Sequence, residues 1–344
     1  MTIDGRRTGV LLVNLGTPAS SGVRDVRTYL REFLSDPRVL DLAAPARWLL
    51  LHAVILPFRP RRSAAQYASI WLPDGSPLLV HGRALREAVA KELGDRFVVE
   101  LAMRYGEPGI APALARLASA DVARVVVLPL FPQYASSAGG SALARVMELA
   151  AAEWNVPPLR TIRDFHDDPG FIASFAAVAG PVLGAFRPDH VLFSYHGLPE
   201  RHIRKSDPTG QHCLASETCC DVPVIASRAC YRAQCAATTR ALAAALHLPS
   251  GAHSMSFQSR LGGDRWIKPY TDEVLPELRR RGVSRVAVMC PAFVADCLET
   301  VEEIGIRAHE QWRSLGGDAL ELVPSLNAHP VWVRAVAEMV RSQC

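Results

Sequence analysis

The feature that most constrains the fold is the alternation of short, β-branched apolar runs with longer segments of helical period. Apolar residues run through the short segments, which is typical of strands buried on both faces: Val10–Val13, Phe97–Leu101, Val125–Leu130, His190–Tyr195, Ser254–Phe257, Val286–Cys290 and Leu320–Val323. The helical segments between them include Val23–Leu34, Pro112–Ala120, Ala142–Trp154, Gln234–Ala245 and Thr300–Leu315. Strands that alternate with helices pair in parallel through right-handed crossovers, so we predict the α/β class.

The two halves of the chain resemble each other. Arg124–Phe131, followed by Pro-Gln, has its counterpart in Arg285–Phe293, and Asn14-Leu15-Gly16 has its counterpart in Tyr195-His196-Gly197. We therefore predict two doubly wound domains around one interdomain cleft, covering residues 1–168 and 169–328, with a C-terminal helix at 329–344. Ligands of open parallel sheets bind beyond the carboxyl ends of the strands, so we expect functional residues in the loops there.

Composition excludes two classes of protein. The 344 residues are 49% apolar and 21% charged, which excludes a mainly disordered chain. The net charge of +4 is spread along the sequence and not gathered in basic blocks. Nucleic acid is therefore not expected as a partner.

The apolar segments predict neither a signal peptide nor a membrane-spanning helix. The N-terminal run is too short for a secretory signal, and the longest candidate, Trp48–Phe58, has roughly half of the ~18 residues that a spanning helix needs. Arg59, Arg61 and Arg62 follow this run. It is either a buried helix or an apolar lip that lies on a membrane surface, anchored by the arginines. We expect a cytoplasmic protein with reduced cysteines. If the run is an apolar lip, its contact with the inner membrane is peripheral.

Five of the eight cysteines fall within 23 residues, in the pattern C-x5-C-C-x9-C-x4-C. They are Cys213, Cys219, Cys220, Cys230 and Cys235. Clustered thiols in a reducing compartment indicate structural zinc or an iron–sulfur cluster. Zinc ribbons favour C-x2-C pairs, and this segment has none.

Two loops that follow predicted strands carry groups able to do chemistry. His196 ends one strand and is followed by Gly197 and Pro199, so its imidazole is either a bonded core histidine or a base or metal ligand. After the strand at 286–290, the spacing of Asp296, Glu299, Glu302, Glu303 and Arg307 predicts one acidic helix face. Such a face is either a solvated surface or a path for cations or protons.

Several motifs in order along nearly the whole chain resemble the ferrochelatases. They are LVNLGTP (12–18), GSPL (75–78), LPLFPQYASSAGGS (128–141), SYHGLPERHI (194–203), SFQSRLGGDRWIKPYT (256–271) and FVADCLET (293–300). The resemblance implies two Rossmann-like (chelatase-type) domains with a porphyrin in the cleft, and an enzyme of the lyase class that inserts Fe²⁺ into the porphyrin at the end of haem synthesis.

The resemblance also implies roles for individual residues. His196 matches the histidine that accepts pyrrole protons or holds the metal, and Glu299 matches its partner carboxylate. Asp296 and Glu303 match the acidic helix face, and Trp266 and Phe293 match residues that pack against the macrocycle. Arg59, Tyr67 and Ser76 lie where the family grips a propionate and lines the pocket, and Trp48–Phe58 matches the lip that contacts membranes.

Two positions depart from patterns within the family. Cys297 stands where the animal enzymes have histidine, so a relay through that position is not assumed. Leu15 stands where the coproporphyrin-using type often has tyrosine, which favours protoporphyrin IX as the substrate. The alternatives are a coproporphyrin III enzyme, another tetrapyrrole chelatase such as one that inserts cobalt into a sirohydrochlorin-type ring, or an iron or redox sensor on the same fold.

Some ferrochelatases carry a 2Fe-2S cluster. The animal-type ligands are absent here, because the QYxCS region reads Gln133-Tyr134-Ala135-Ser136 and the tail offers only Cys344. The cysteine segment resembles a bacterial subset with all ligands inside the second domain. Four of the five clustered cysteines would bind the cluster, and the spacing does not decide which four. Monomer and homodimer both fit the sequence.

Overall fold

The structure is a computed structural model that describes residues 7–222, 224–260 and 262–344. The chain divides into two compact units. The first unit comprises residues 7–131, 136–164 and 332–344, and the second comprises residues 132–135 and 165–331. The boundaries predicted from sequence at 168 and 328 stay predictions, although the last helix belongs largely to the first unit.

The first unit is built on a parallel sheet with the order β2-β1-β3-β4. Its strands are β1 (Thr8–Gly16), β2 (Phe97–Tyr105), β3 (Arg124–Pro129) and β4 (Leu159–Thr161). Its helices are α1 (Val23–Ser35), α2 (Ala44–Leu49), α3 (Leu56–Ile70), α4 (Pro77–Leu93), α5 (Ile110–Ser119) and α6 (Ser141–Ala151), with π-helical turns at Leu50–Ile55 and Ser136–Gly140. One face of the sheet packs on α5 and α6 through Leu11, Val125 and Val127.

The second unit repeats this plan with the parallel order β6-β5-β7-β8. Its strands are β5 (His190–His196), β6 (His253–Gln258), β7 (Arg285–Met289) and β8 (Ala319–Leu322). Its helices are α7 (Pro169–Phe186), α8 (Glu200–Ser206), a 3₁₀ turn at Ile225–Ser227, α9 (Tyr231–Ala245), α10 (Thr271–Arg280), a π-helix at Leu298–Ala308 and α11 (His309–Ser314). The final helix, α12 (Pro330–Arg341), begins here and continues into the first unit.

The strand register shows that the two units are equivalent in detail. Gly9 of β1 pairs with the second residue of β3, and His190 of β5 pairs with the second residue of β7. Counting along both strands, Leu15 therefore occupies in the first sheet the position that His196 occupies in the second. The fold predicted from sequence is confirmed, and so are the seven strands. The strand that was missed, β4, has only three residues.

The predicted helix over Thr300–Leu315 is divided in the structure. It consists of the π-helix Leu298–Ala308 followed directly by α11. A π-helix bonds each carbonyl to the N–H five residues on, so its faces repeat differently from those of an α-helix. The residues that share a face therefore differ from those that α-helical spacing predicts.

The sequence reasoning did not identify helix α7 as a candidate membrane span. Its 18 residues are apolar and uncharged enough to cross a membrane by length and composition alone. A single such helix is weak evidence for a span, because core helices pass the same test. In the second unit α7 buries Phe171, Ile172 and Phe175.

The apolar run Trp48–Phe58 is not a buried helix. It spans α2, the π-helical turn and the start of α3, and it exposes 63% of Trp48, 59% of Leu49, 54% of Val54 and 75% of Phe58. Only Leu51 and Leu56 of this run are buried. Exposed apolar side chains so close together form a patch that we call the apolar lip (Trp48, Leu49, Val54 and Phe58).

Candidate active site

His196 lies at the carboxyl end of β5, where the sheet geometry places functional residues. The glycine that follows lets the chain pass close to β6. Gly197 donates its N–H to the Gln258 carbonyl at 2.8 Å, and a Cβ at this position would lie 2.9 Å from the same oxygen. It would also lie 3.2 Å from a ring carbon of Trp266. Glycine is therefore required for His196 to leave the strand at this point.

One hydrogen bond determines the tautomer of His196. Its Nδ1 lies 2.6 Å from the Gly197 carbonyl oxygen. A carbonyl oxygen only accepts, so Nδ1 carries the proton and donates it. In the neutral imidazole, Nε2 then has a free lone pair that can accept a proton or bind a metal ion.

Two aromatic rings flank His196. The Trp266 ring centroid is 6.5 Å from that of the imidazole, and the Phe293 centroid is 6.4 Å away. Both side chains are partly exposed, and Phe293 also packs on the core of the second unit. The imidazole is thus set among flat apolar surfaces, which suit an aromatic macrocycle.

The π-helix Leu298–Ala308 carries the carboxylates, and Cys297 caps its N-terminus. The Cys297 sulfur accepts from the Thr300 N–H, and the Cys297 N–H donates to Thr300 Oγ1 at 3.0 Å. The thiol also hydrogen-bonds the Glu299 carboxylate. Burial and the nearby Glu299 charge raise the pKa of the Cys297 thiol. Cys297 is therefore protonated at neutral pH and can donate to Glu299.

Gln258 connects β5, which ends at His196, to the π-helix Leu298–Ala308, which we call the acidic helix. It pairs with His196 in the parallel register of β5 and β6. Its amide Nε2 donates to the backbone carbonyl of Glu299 at 2.7 Å and to Glu303 Oε2 at 3.3 Å. Glu303 also accepts from the Ser259 N–H at 2.9 Å and from the Ser259 hydroxyl. The end of β6 thus holds the helix that presents Glu299.

Asp296 does not lie on the acidic helix face, and that prediction was wrong. It precedes the π-helix and is bound in a loop, where it accepts from Asn327 Nδ2 at 2.8 Å and from the Ser325 N–H at 3.1 Å. Its carboxylate organises the segment before the helix. Glu302 is also engaged, because Arg307 Nε donates to it at 3.0 Å. Within the predicted row, Gln258 bonds the Glu303 carboxylate and the backbone carbonyl of Glu299.

A polar cavity of about 220 Å³ adjoins this helix within the second unit. Gln258, Ser259, Glu303 and Arg307 are among its lining residues. The Glu303 carboxylate, which Gln258 bonds, therefore borders a space large enough for several water molecules.

The predicted residues of the first unit have contacts inside that unit. Leu15 is partly exposed near the end of β1, and Tyr67 is buried with its ring edge-on to Tyr29 at 6.5 Å. Ser76 is 2% exposed and caps α4 by accepting from the Leu79 N–H at 3.3 Å. Arg59 is partly exposed on α3. Their assignment to a porphyrin pocket stays a prediction from the resemblance.

Four of the five clustered cysteines form a continuous row of sulfur contacts. Cys219 Sγ lies 3.8 Å from Cys220 Sγ, and Cys230 hydrogen-bonds both Cys220 and Cys213. All four are buried, and burial raises the pKa of the Cys213 thiol. Among the residues that the structure describes, no group of three or more His, Cys, Asp or Glu side chains meets the geometry for holding a metal ion.

Cys235 lies outside this row of sulfur contacts. It is fully buried on α9, one turn after Tyr231, and it hydrogen-bonds the Tyr231 side chain. Tyr231 and Cys235 both lie near Tyr195, whose hydroxyl is 2.9 Å from Thr239 Oγ1. Cys235 therefore belongs to the packing between α9 and β5.

Sequence reasoning missed two polar residues at these sites. Gln258 is the last residue of β6. Arg232 is the second residue of α9, and its Nη1 lies 3.2 Å from Cys220 Sγ and 3.9 Å from Cys219 Sγ. The rule that directed attention to strand ends applies equally to Gln258, which ends a strand inside the SFQSRLGG motif. For Arg232, no sequence signal exists beyond its closeness to the cysteines.

Comparison with known proteins gives consistent results. A ferrochelatase family model matches residues 7–344. Ferrochelatases of Coxiella burnetii and Legionella pneumophila are respectively 49% and 47% identical, covering 98% of this chain in each case and 94% and 99% of those proteins.

Solved structures with a similar fold include SirB from Bacillus subtilis with Fe³⁺ (TM-score 0.56, 12% identity, covering 98% of this chain and 95% of that one). The sirohydrochlorin chelatase SirB from Bacillus subtilis subspecies spizizenii in complex with cobalt gives a TM-score of 0.55 at 11% identity, with the same coverage. At such low identity these structures support the fold alone. The length and identity of the sequence matches place this chain in the ferrochelatase family, whose activity is the insertion of metal into a porphyrin.

Proposed function

We propose that this chain is a lyase that inserts Fe²⁺ into protoporphyrin IX to give protohaem in haem biosynthesis, with His196 and Glu299 as its catalytic residues. The observation that carries the proposal is the His196 tautomer. Nδ1 is engaged by the Gly197 carbonyl at 2.6 Å, which leaves Nε2 as a base among Trp266 and Phe293.

Metal insertion releases two pyrrole N–H protons and replaces the water around Fe²⁺ with four ring nitrogens. His196 Nε2 is suited to accept a pyrrole proton, because its lone pair is free when Nδ1 donates to the Gly197 carbonyl. Glu299 supplies a carboxylate that binds Fe²⁺ or accepts a proton. Gln258 holds the helix that carries Glu299, and Glu303 next to the polar cavity provides a further acceptor for a proton leaving the site.

The test is steady-state metal insertion by His196→Ala and Glu299→Gln, with porphyrin binding measured separately by absorbance or fluorescence. We expect each substitution to abolish insertion while porphyrin still binds. His247→Asn and Glu310→Gln are matched controls, because both side chains are exposed. Near-wild-type turnover in either active-site variant would show that the assignment is wrong.

The substrate is tested by comparing kcat/KM for protoporphyrin IX and coproporphyrin III. Leu15 has no group that could ligate iron or donate a hydrogen bond, which supports protoporphyrin. A preference for coproporphyrin III would favour the alternative enzyme. Insertion of cobalt into a sirohydrochlorin-type ring, with no activity on either porphyrin, would instead favour another tetrapyrrole chelatase.

We also propose a 2Fe-2S cluster held by Cys213, Cys219, Cys220 and Cys230. A two-iron cluster takes four cysteine thiolates, and the row of sulfur contacts supplies four. Asp207 supports the first ligand by accepting the N–H groups of His212 and Cys213, both at 2.8 Å. When bound, such a cluster supplies one-electron redox chemistry and cross-links the three segments of chain that carry these cysteines.

The ligand set is tested by anaerobic purification and measurement of iron and acid-labile sulfide. We expect about two of each per chain in the wild type, as the cluster type requires. Cys213→Ser or Cys230→Ser is expected to abolish the absorption of the cluster, and Cys235→Ser to leave it unchanged. Colourless protein with one zinc per chain would overturn the cluster proposal.

We further propose a cytoplasmic location with peripheral contact to the inner membrane through the apolar lip. Its four exposed apolar side chains lie close to Arg59, Arg61 and Arg62, which suits an interface with anionic lipid. The fraction of protein that sediments with anionic vesicles is expected to be lower for the double variant Trp48→Ser and Phe58→Ser than for the wild type. Trp154→Ser, 97% exposed elsewhere in the chain, is the control, and equal loss in both would contradict the proposal.

A further inference from the structure

We propose that Arg232 is a positioning residue for the cluster, holding the sulfurs of Cys219 and Cys220 and raising the reduction potential of the group that they bind. This inference rests on the proposed four-thiol site. The Arg232 guanidinium contacts two neighbouring sulfurs, which the sequence did not predict.

The contacts place one nitrogen against both thiols. Arg232 Nη1 is 3.2 Å from Cys220 Sγ and 3.9 Å from Cys219 Sγ. The side chain is half-buried, so its charge is less screened than that of a surface arginine. Arginine presents several N–H donors in a rigid plane, which allows one guanidinium to serve adjacent acceptors.

The backbone adds to the positive field at the same place. Cys230 is the N-cap of α9, which has 15 residues, and Arg232 is the second residue of that helix. The N-terminus of a helix carries a partial positive charge from its unpaired N–H groups. Two of the four sulfurs thus contact a guanidinium, and a third cysteine, Cys230, lies at a helix N-terminus.

These groups favour the reduced form of a bound cluster. Reduction by one electron, supplied in the test by a chemical mediator, adds one negative charge that spreads over the iron and sulfur atoms. Hydrogen bonds to the sulfurs stabilise the added charge, and they are among the groups that set the potentials of iron–sulfur proteins. Removing the donor should therefore make the cluster harder to reduce.

Arg240 offers a matched control on the same helix. Its Nη1 donates to the backbone carbonyl of Cys220 at 3.3 Å and not to a sulfur. Arg232→Gln and Arg240→Gln each remove one positive charge near Cys220. A larger shift in Arg232→Gln than in Arg240→Gln therefore reports the half-buried guanidinium at the sulfurs and not the mere loss of one positive charge from the protein.

The experiment measures midpoint potentials by mediated redox titration, together with the EPR signal of the reduced cluster, in full-length protein purified anaerobically. For Arg232→Gln we expect about tenfold weaker preference for the reduced form, which is a shift of ~59 mV to more negative potential for a one-electron couple, and an altered EPR signal. Arg240→Gln should shift the potential less and leave the EPR signal as in the wild type.

Equal shifts in the two variants, or no shift in Arg232→Gln, would overturn the inference. If Arg232→Gln is isolated without cluster, the potential of Arg232→Lys tests the inference instead. Lysine keeps the positive charge but lacks the planar set of N–H donors of the guanidinium. We expect Arg232→Lys to bind the cluster with a midpoint potential more negative than that of the wild type. A midpoint potential equal to that of the wild type would overturn the inference. Wild-type protein without iron and sulfide would instead overturn the cluster proposal itself, so the two failures are distinguishable.

Discussion

Replacing Cys297 by alanine tests how the acidic helix presents Glu299. The Cys297 side chain is 5% exposed and has two roles. Its sulfur accepts from the N–H of Thr300 at the start of the π-helix, and its thiol donates to the Glu299 carboxylate. Alanine removes both interactions at once, so further substitutions are needed to separate them.

The two roles have different expected magnitudes and different readouts. Loss of an N-cap costs about 1 kcal/mol of folding free energy, and this cost appears as a lower Tm. Loss of a hydrogen bond to a charged group costs about 1.5 kcal/mol. If that bond orients Glu299 for the reaction, the cost appears in kcat as a decrease of about tenfold, with KM for porphyrin unchanged.

Serine and aspartate at position 297 separate the cap from the donor. Serine caps a helix and also donates, so we expect Tm and kcat close to the wild type. Aspartate caps well but has no proton to donate and places a second charge beside Glu299. We expect it to restore Tm but to keep kcat at least as low as in the alanine variant.

The assay is anaerobic insertion of Fe²⁺, with Zn²⁺ as a second metal, alongside thermal unfolding of each variant. Wild-type kcat in Cys297→Asp would show that Cys297 acts only as a cap. Wild-type kcat in Cys297→Ala would show that the thiol does not help to position Glu299, and either result would refute the reasoning.

Three further predictions concern stability. Burial, with Arg281 and His253 nearby, lowers the pKa of His190 from 6.5 to about 4, so the unfolded chain takes up the proton first as pH falls. Stability should therefore be lost between these two pKa values, by about 3 kcal/mol, and urea unfolding of His190→Gln should show a weaker pH dependence. Asp36→Asn should cost about 3 kcal/mol in urea unfolding, because Asp36 is 5% exposed and bonds Arg104 at 2.8 Å; a loss below about 1 kcal/mol, typical of exposed pairs, would contradict this. Gly16→Ala should destabilise by more than about 3 kcal/mol, because its φ is +128° and a Cβ would lie 1.9 Å from the Tyr105 carbonyl oxygen. Gly94→Ala, with φ +77° and no atom within 4 Å of its Cβ, is the control and should cost about 1 kcal/mol.

The acidic helix shows where sequence reasoning fails. Spacing of three and four residues placed Asp296, Glu299, Glu302 and Glu303 on one α-helical face. The structure begins the helix at Leu298 and winds it as a π-helix, so Asp296 binds the 325–327 loop and Glu302 pairs with Arg307. A π-helix is stabilised by tertiary contacts, such as those of Gln258 with the Glu299 carbonyl and Glu303. Those contacts have no local sequence signal.

The sequence by itself determined the fold class, the duplication and the family, because continuous apolar strands and motifs in order are local properties of the chain. It also identified the strand end at His196 and the cysteine segment. Only the tertiary structure decided the tautomer of His196, with its proton on Nδ1, and the hydrogen bond from the Cys297 thiol to Glu299. It also decided that the apolar lip is exposed and that the row of four sulfurs omits Cys235. Each of these depends on the conformation that packing gives the backbone and side chains, even where the residues in contact are neighbours along the chain.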